Sequence, residues 1–447
     1  MELKIQEGAR WIIRGLEQAG YTGYVVGGAV RDLVMGKAPH DFDIATDALP
    51  EQVKRIFAKT YDTGIQHGTV TVIENKNAYE VTTFRTESGY ADGRHPESVA
   101  FIRNLATDLA RRDFTVNAMA YNDTAGLVDQ FDGIGDIQKK IIRCVGEPET
   151  RFREDALRML RAVRFAAVLN FEIEPETAKA IKKCAVLIKK VSAERVREEC
   201  NKILLSDRPA DFRVLHELGL LQYLIPELDR CFSVEQCNKY HIHNVGEHIM
   251  HAVAATPPDL ILRWAALLHD VGKPRCMSRD VNGVIHFYGH HRESMGLGTD
   301  ILHRLRFDRD SMHEILILVE NHDVRIEPSP PVVKRMMART GGRLFEKLLL
   351  LQEADNKAKN PGFLRDKLAK LAEVRRIYRE VLAEGQPYLV SDLVINGRDL
   401  IKLGFKAGRE IGDTLRQLLD EVLVNPAVNN RDYLLSRARE LRRKRRV

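Results

Sequence analysis

The chain has 447 residues, more than one hydrophobic core usually serves, so its length alone points to about three domains. With 44% hydrophobic and 30% charged residues, and no apolar run near the roughly 18 residues that a bilayer span needs, it reads as globular and not membrane-spanning. A net charge of +6, from 69 basic and 63 acidic residues, favours a polyanionic partner only weakly.

The opening MELKIQEGARW carries charges where a signal peptide would need an apolar core, and the expected location is the cytoplasm. A helix is expected over 6–19 and a short strand over 24–26. Gly27-Gly28 then turns the chain into a second helix closed by Gly36. Strand patterns rich in Val, Ile, Thr and Tyr follow over 42–45, 69–73 and 79–84. From Arg151 onward nearly every segment reads as an amphipathic helix, with Ser192 expected to cap one of them. Breaks fall at Thr256-Pro257-Pro258, Pro328-Ser329-Pro330-Pro331 and Asn360-Pro361-Gly362. The cysteines, Cys144, Cys184, Cys200, Cys231, Cys237 and Cys276, form no CxxC pair, so reduced structural thiols are expected.

In VVGGAVRDLVMGKAPHDFDIAT, Asp41 and Asp43 stand two apart on a predicted strand, so both carboxylates leave one face while Phe42 points inward. Such a pair suits divalent metal, and Glu80 on another strand is a candidate third ligand. Gly27 and Gly28 let backbone N–H groups approach a triphosphate, with Arg31 and Asp32 one turn further on. Taken alone, an Asp-x-Asp is more often a solvated strand edge. In this order and spacing the Gly-Gly, short helix and Asp-x-Asp resemble the signature of polymerase β-like nucleotidyltransferases.

The segment ARRDFTVNAMAY offers Arg111 and Arg112 as phosphate forks, Asn117 as a ribose or triphosphate contact, and Asp113 as a group that can orient Arg or metal-bound water. RFREDALRMLRAVRFAA reads as one helix over 151–167, burying Leu157, Met159, Leu160, Val163 and Phe165. Glu154, Asp155, Arg158 and Arg161 are then left to a cleft, with Asp155 and Arg158 side by side at i, i+3. An Arg and an Asp so placed can read the edge of a base without a nucleic-acid template.

RRDFTVNA and EDALR, together with DQFDGIGDI and SAERVREE, run in the order found in the class II tRNA nucleotidyltransferase and poly(A) polymerase family, which the chain resembles over about residues 20–230. The resemblance implies catalytic Asp41 and Asp43. It also implies nucleotide contacts from Gly27, Gly28, Arg31, Arg112, Asp113, Asn117, Asp155, Arg158, Arg161 and Arg164. The segment 83–101, with Gly89 and Gly93, is similar to the mobile loop that CC-only enzymes of that family generally lack.

Further on, His248, the adjacent His269-Asp270 and Asp355 fall on apolar helices in an order that resembles HD-domain phosphohydrolases. His290 or His291, with His322, are candidate ligands of a second metal. His241, His243, His251, His286 and His313 are assigned no role, since a buried histidine more often satisfies a carbonyl. INGRDLIKLGFKAGREIGDTL is similar to the family's tRNA-cradling tail, with Ala407 where proline is expected. The final Arg437 to Arg446 cluster reads equally as a phosphate contact and as a solvated end.

The implied fold is an α/β nucleotidyltransferase head with a polymerase β-like mixed sheet (1–145), an all-α neck and body (146–230), an HD phosphohydrolase-like helical module (231–360) and a helical tRNA-binding tail (361–447). The implied reaction is template-independent addition of CCA to tRNA from CTP and ATP. Mg²⁺ would serve the polymerase site, and Mn²⁺, Ni²⁺, Fe²⁺ or Mg²⁺ the HD module, which would act as a phosphatase or phosphodiesterase. The rival readings are an A-only enzyme or poly(A) polymerase and, in another class, an HD phosphohydrolase with a non-catalytic RNA-binding head. Intact Asp41 and Asp43 argue against the last.

Overall fold

In the computed structural model, which describes residues 2–65, 68–88, 98–236 and 240–444, the chain forms two compact units, Met1–Pro226 and Glu227–Val447. The first opens with the helix Glu7–Gln18, whose Ala9, Ile12, Ile13 and Leu16 recur at helical spacing and are buried. They pack with Val25, Ile44, Val72 and Val81 of a sheet in one core.

The strands are β1 (Gly23–Val26), β2 (Asp43–Thr46), β3 (Thr60–Gly64), β4 (Thr69–Glu74), β5 (Asn77–Thr83), β6 (Arg85–Ser88), β7 (Ser98–Phe101), β8 (Met119–Asn122) and β9 (Gly126–Asp129). Seven of them form a sheet in the order β3-β4-β5-β2-β1-β8-β9, while β6 and β7 pair separately. β2 and β5 run parallel and β1 and β2 antiparallel, so the sheet is mixed, as expected. Sequence periodicity missed three strands of this sheet for different reasons. β3 is polar and mostly exposed, β8 is buried on both faces and so lacks alternation, and β9 is half-buried throughout. The tip of the expected mobile loop, residues 89–97, lies outside the described residues.

The helix expected over 151–167 is two helices, Pro148–Glu154 and Leu157–Leu169. Asp155 breaks it by leaving helical backbone at φ −140°, ψ 105°. Its carboxylate accepts from the Leu157 N–H at 3.0 Å and from Arg195 Nη2 at 2.8 Å, so local capping and a tertiary ion pair override helix propensity. The helix Ala193–Leu204 begins after Ser192, but the Ser192 side chain makes no capping bond. The five described cysteines are free, and burial pushes the Cys200 thiol up to about 12.

In the second unit, helices Val245–Ala254, Leu260–Leu268, His290–Arg304, Arg309–Asn321 and Gly342–Lys357 carry the HD segment. Asn244, Asp259 and Asp308 each accept a backbone N–H as side-chain caps. The proline breaks lie where expected: Pro257 and Pro258 separate two helices, Pro330 opens Pro330–Thr340, and Pro361 begins a 3₁₀ turn. The tail helices Gly397–Lys402, Arg409–Val424 and Arg431–Lys444 share a core of Leu400, Leu418, Val422 and Leu434. Gly404 and Gly408, at φ +84° and +111°, make the turn around Ala407 that no proline fixes. Arg437 is tied to Glu421 and Glu440, so part of the basic end is a structural helix; Arg445 and Arg446 lie outside the described residues. Among the described residues no helix is long and apolar enough to cross a membrane.

Candidate functional site

Two constellations of chemistry-bearing side chains stand out, one in each unit. In the first, Val26 at the end of β1 pairs with Asp43 at the start of β2, which sets the Gly27-Gly28 turn beside the Asp-x-Asp. Gly27 has φ +71°, a conformation that favours glycine, and a Cβ there would stand 3.1 Å from Arg112 Nη1. β2 begins one residue later than the alternation predicts. Even so, Phe42 and Ile44 are buried at 8% and 0% exposure while Asp41 and Asp43 face outward.

Ile44 lies opposite Val81 of the parallel β5, so Glu80 is brought to the same end of the sheet. Enclosure by protein, and then the charges of Asp41 and Glu80, push the Asp43 carboxyl up to about 6, with Arg112 pulling it back. Three carboxylates gathered at one end of the sheet are a donor set suited to a hard divalent cation. Their ligand atoms do not all lie within 4.8 Å of one another, so the set is open.

Of the other predicted nucleotide contacts, Arg31, Asn117, Asp113 and Arg161 are joined by polar contacts, and Arg164 through the Phe165 ring, in one web. Arg31 Nη1 donates to Asn117 Oδ1 at 2.7 Å and its Nη2 pairs with Asp32 at 2.8 Å. Asn117 Nδ2 donates to Asp113 at 3.3 Å, and Asp113 also takes Arg161 Nη2 at 2.6 Å. Burial alone would raise the Asp113 carboxyl, but Arg161 and Asn117 hold it below its ordinary value. Three guanidiniums of this web, those of Arg31, Arg161 and Arg164, lie 5.4, 5.3 and 3.8 Å from the ring centre of Phe165. Sequence reading placed Phe165 with the core, because helical periodicity does not distinguish a packing ring from a cation platform.

Sequence reading also missed Asp108, which is 1% exposed and holds both Arg111 and Arg112. Arg112 retains a buried Nε with no partner. Asp155 and Arg158, expected side by side, meet only through the backbone, where the Arg158 N–H donates to the Asp155 carbonyl at 3.0 Å. Asp155 binds Arg195, whereas Arg158 donates to Glu154 at 2.6 Å and to the carbonyls of Arg151 and Arg111. Arg164 is drawn to Glu199 at 2.6 Å.

The second constellation is buried. His248, His269, Asp270 and Asp355 bring their ligand atoms within 4.8 Å of one another, and Asp270, His290 and His322 form an overlapping group. Asp270 joins the two. Its Oδ2 lies 3.3 and 3.2 Å from His248 and His269, and its Oδ1 lies 3.2 and 3.6 Å from His290 and His322. All four imidazoles turn Nδ1 to a backbone carbonyl, of Ala358, Ala266, Phe287 and Val319 respectively. A carbonyl only accepts, so Nδ1 carries the proton and Nε2 is the ligand atom in each.

His290, not the half-buried His291, is therefore the member of that doublet turned inward. Lys273 Nζ is 2.7 Å from Asp270 and Lys359 Nζ 2.5 Å from Asp355. Burial alone would raise both carboxyls, but His269 with Lys273, and Lys359, hold them well below the usual range. Burial also opposes charge on His269, yet Asp270 and Asp355 together raise it to about 9. Asp270 Oδ1 has no hydrogen-bond partner, as expected of an atom kept for a cation.

His241, assigned no role from sequence, lines the same pocket. Its ring lies 5.0 Å from His248, and burial followed by the charge of Lys273 pushes it down to about 2. It precedes the capping Asn244, outside any periodic segment that could have singled it out.

The poly A polymerase head domain family matches residues 23–143, a family described as a probable RNA and SrmB-binding site of polymerase A matches 170–232, and the HD domain family matches 240–360. The chain is 35% identical to the CCA-adding enzyme of Limosilactobacillus reuteri (strain DSM 20016) over 98% of its length and 97% of that protein's. It resembles the crystal structure of the Bacillus stearothermophilus CCA-adding enzyme in complex with CTP, at a TM-score of 0.76 and 32% identity, covering 100% of this chain and 99% of that one. The Thermotoga maritima CCA-adding enzyme complexed with tRNA shares the fold, at a TM-score of 0.57 and 20% identity, over 98% of this chain and 99% of that one.

Proposed function

The chain belongs to the family of CCA-adding enzymes, and from that premise we propose that it adds CMP, CMP and AMP in turn to the 3′ end of tRNA, using CTP and ATP and releasing pyrophosphate. The observation that carries this reading is the crowding of Asp41, Asp43 and Glu80 beside the Gly27-Gly28 turn, with Asp43 pushed up to about 6. In each addition the tRNA 3′-oxygen bonds to the α-phosphorus, the α–β phosphoanhydride bond breaks and the hydroxyl proton is released. Asp41 and Asp43, with Glu80, would hold Mg²⁺, which supplies a lowered hydroxyl pKa and neutralises charge on the leaving pyrophosphate.

The remaining roles rest on this chain's own residues. Arg112, next to Gly27 and with an unused Nε, and Asn117, locked between Arg31 and Asp113, are placed to hold the triphosphate and ribose. Asp155 and Arg158 select the base. Both are ion-paired in the structure, so Arg195 and Glu154 are the residues that set their resting positions. The working division remains head 1–145, neck and body 146–230, HD module 231–360 and tail 361–447.

Purified protein given tRNA ending before CCA, in C, or in CC, with each labelled nucleotide singly, tests this reading on a gel. C, C and A incorporation on the matching substrates is expected. Incorporation of A alone, or of a run of A, would replace it with A-only or poly(A) synthesis.

In the HD module, the bridging Asp270 with its orphan Oδ1 supports two divalent ions, of Mn²⁺, Ni²⁺, Fe²⁺ or Mg²⁺ type. We read this centre as a phosphoester hydrolase: water oxygen bonds to phosphorus, the ester P–O bond breaks, and a proton goes to the departing oxygen. His248, His269, Asp270 and Asp355 would hold one ion and Asp270, His290 and His322 the other. Metal-stimulated release of phosphate, or opening of a 2′,3′-cyclic phosphate, tests it.

A further inference from the structure

The short hairpin Ser278–Arg279 and Ile285–His286 carries features that neither the metal ligands nor the fold requires. Asp280 Oδ1 accepts from the N–H groups of Asn282 and Val284, both at 2.9 Å, which shapes its turn. Asp280 Oδ2 lies 3.1 Å from His286 Nε2, and His286 Nδ1 lies 3.3 Å from the Tyr288 hydroxyl. The His286 and Tyr288 rings are nearly parallel, 5.1 Å apart at 9°. Tyr288 is nevertheless 77% exposed. An aromatic ring fixed in orientation by a neighbour and a hydrogen bond, yet left uncovered, has lost its rotamer entropy before anything binds.

The ring is also tied to the metal-ligand set. Gly289, at φ +75°, bends the chain between Tyr288 and His290, and His290 Nδ1 is anchored to the Phe287 carbonyl at 2.8 Å. Tyr288 and His286 line one pocket with Asp270, His290, His322 and Lys359. We propose that Tyr288, backed by His286, is the base-stacking platform of the HD pocket, so that the ester cleaved there is a phosphate of a nucleoside. The phosphate lies toward Asp270 and Lys359 and the base lies on the tyrosine. This rests on the hydrolytic reading of the HD centre and names its substrate class and a specificity residue.

Hydrolysis of adenosine 2′,3′-cyclic phosphate is compared with that of glycerol 1,2-cyclic phosphate, the same ester without base or sugar ring. For Tyr288→Ala the expected result is a KM about tenfold higher for the adenosine ester with kcat within about twofold, and an unchanged kcat/KM for the glycerol ester. Tyr288→Trp is expected to restore the adenosine KM. Equilibrium dialysis of adenosine 3′-monophosphate with divalent ion present gives a readout without turnover, and the alanine variant should bind about tenfold more weakly. A thermal melt of each variant checks that its HD unit is folded.

Equal losses on both esters would assign Tyr288 a structural role and overturn the proposal. Unchanged KM and unchanged binding would overturn it while leaving the hydrolase intact. If the parent protein cleaved neither ester but bound the monophosphate in a Tyr288-dependent way, the hydrolase reading would fall and the platform would stand.

Discussion

Asp43 in the head and Asp270 in the HD module are both carboxylates placed for cations, and their surroundings move them in opposite directions. Asp43 is exposed at a strand end and is pushed up to about 6 by enclosure and by two like charges. Asp270 is 1% exposed, and imidazoles and Lys273 hold it well below its ordinary value. The first centre is open and electrostatically incomplete, as suits a site whose metals must enter and leave with a triphosphate. The second has its counter-charges in place and its imidazoles fixed by carbonyls, as suits resident ions. Carboxylates proposed as cation ligands can therefore act on stability in opposite directions in two regions of one chain.

The largest expected effect that would break this contrast lies in the head. Asp41→Ala or Asp43→Ala should lower nucleotide incorporation by about a thousandfold or more, since metal charge stabilisation is worth several kcal/mol. Asp41→Ala should change stability by less than about 0.5 kcal/mol, while Asp43→Ala should leave the fold at least as stable as the parent, because it removes a carboxyl whose ionisation the fold disfavours. Gel assays of incorporation and a urea melt check the two halves, and normal addition by either variant would remove the metal assignment.

The counterpart in the HD module is Asp270→Ala, which leaves Lys273 buried without its ion partner. It should abolish metal-stimulated hydrolysis and also destabilise its unit by about 3–5 kcal/mol, while CCA addition persists at temperatures below the lowered melt. A variant as stable as the parent would show that the module's charges are not structural. A folded variant unable to add CCA would end the separation of the two centres.

What the sequence revealed follows the same line. Asp41, Asp43, His248, His269, Asp270 and Asp355 were legible because they sit at fixed offsets in motifs or on apolar helices. Their helpers were not. Asp108, Arg195 and Glu199 meet their partners through tertiary packing, and Phe165 looked like core until three guanidiniums converged on it. The mixed sheet was foreseen in type, but β8 was invisible because burial on both faces erases the period-two pattern. The break at Asp155 depends on Arg195, forty residues away, which no local propensity encodes.

Arg158 sharpens the comparison at intermediate magnitude, since it belongs to the first unit yet is buried like the ligands of the second. Arg158→Ala should loosen the preference for CTP and ATP over UTP and GTP by about 1–3 kcal/mol, roughly tenfold to a hundredfold, with little change in Mg²⁺ dependence. It also leaves Glu154 without one of its two arginines, so a modest fall in melting temperature should accompany it. Full retention of base choice would mean that the side chain only buttresses the body.

The smallest expected effect concerns pH and follows from the sign of the Asp43 shift. Its folded value of about 6 lies above the ordinary 3.8, so the fold favours the neutral carboxyl, and ionising it costs stability. In metal-free protein that cost is absent below the ordinary value, grows as pH rises between the two, and is complete above about 6. Mg²⁺ binds the ionised form and must displace one proton when pH is below about 6. At limiting Mg²⁺, incorporation should therefore fall about tenfold for each pH unit below that point, and raising Mg²⁺ should move the midpoint toward lower pH. The HD centre, whose carboxylates are held ionised by fixed cations, should lack a carboxylate step in this window. Profiles of CMP incorporation at two Mg²⁺ concentrations decide the matter, because a midpoint indifferent to Mg²⁺ would mean that the titrating group is not a ligand, and Asp43 would lose its place at the head of the mechanism.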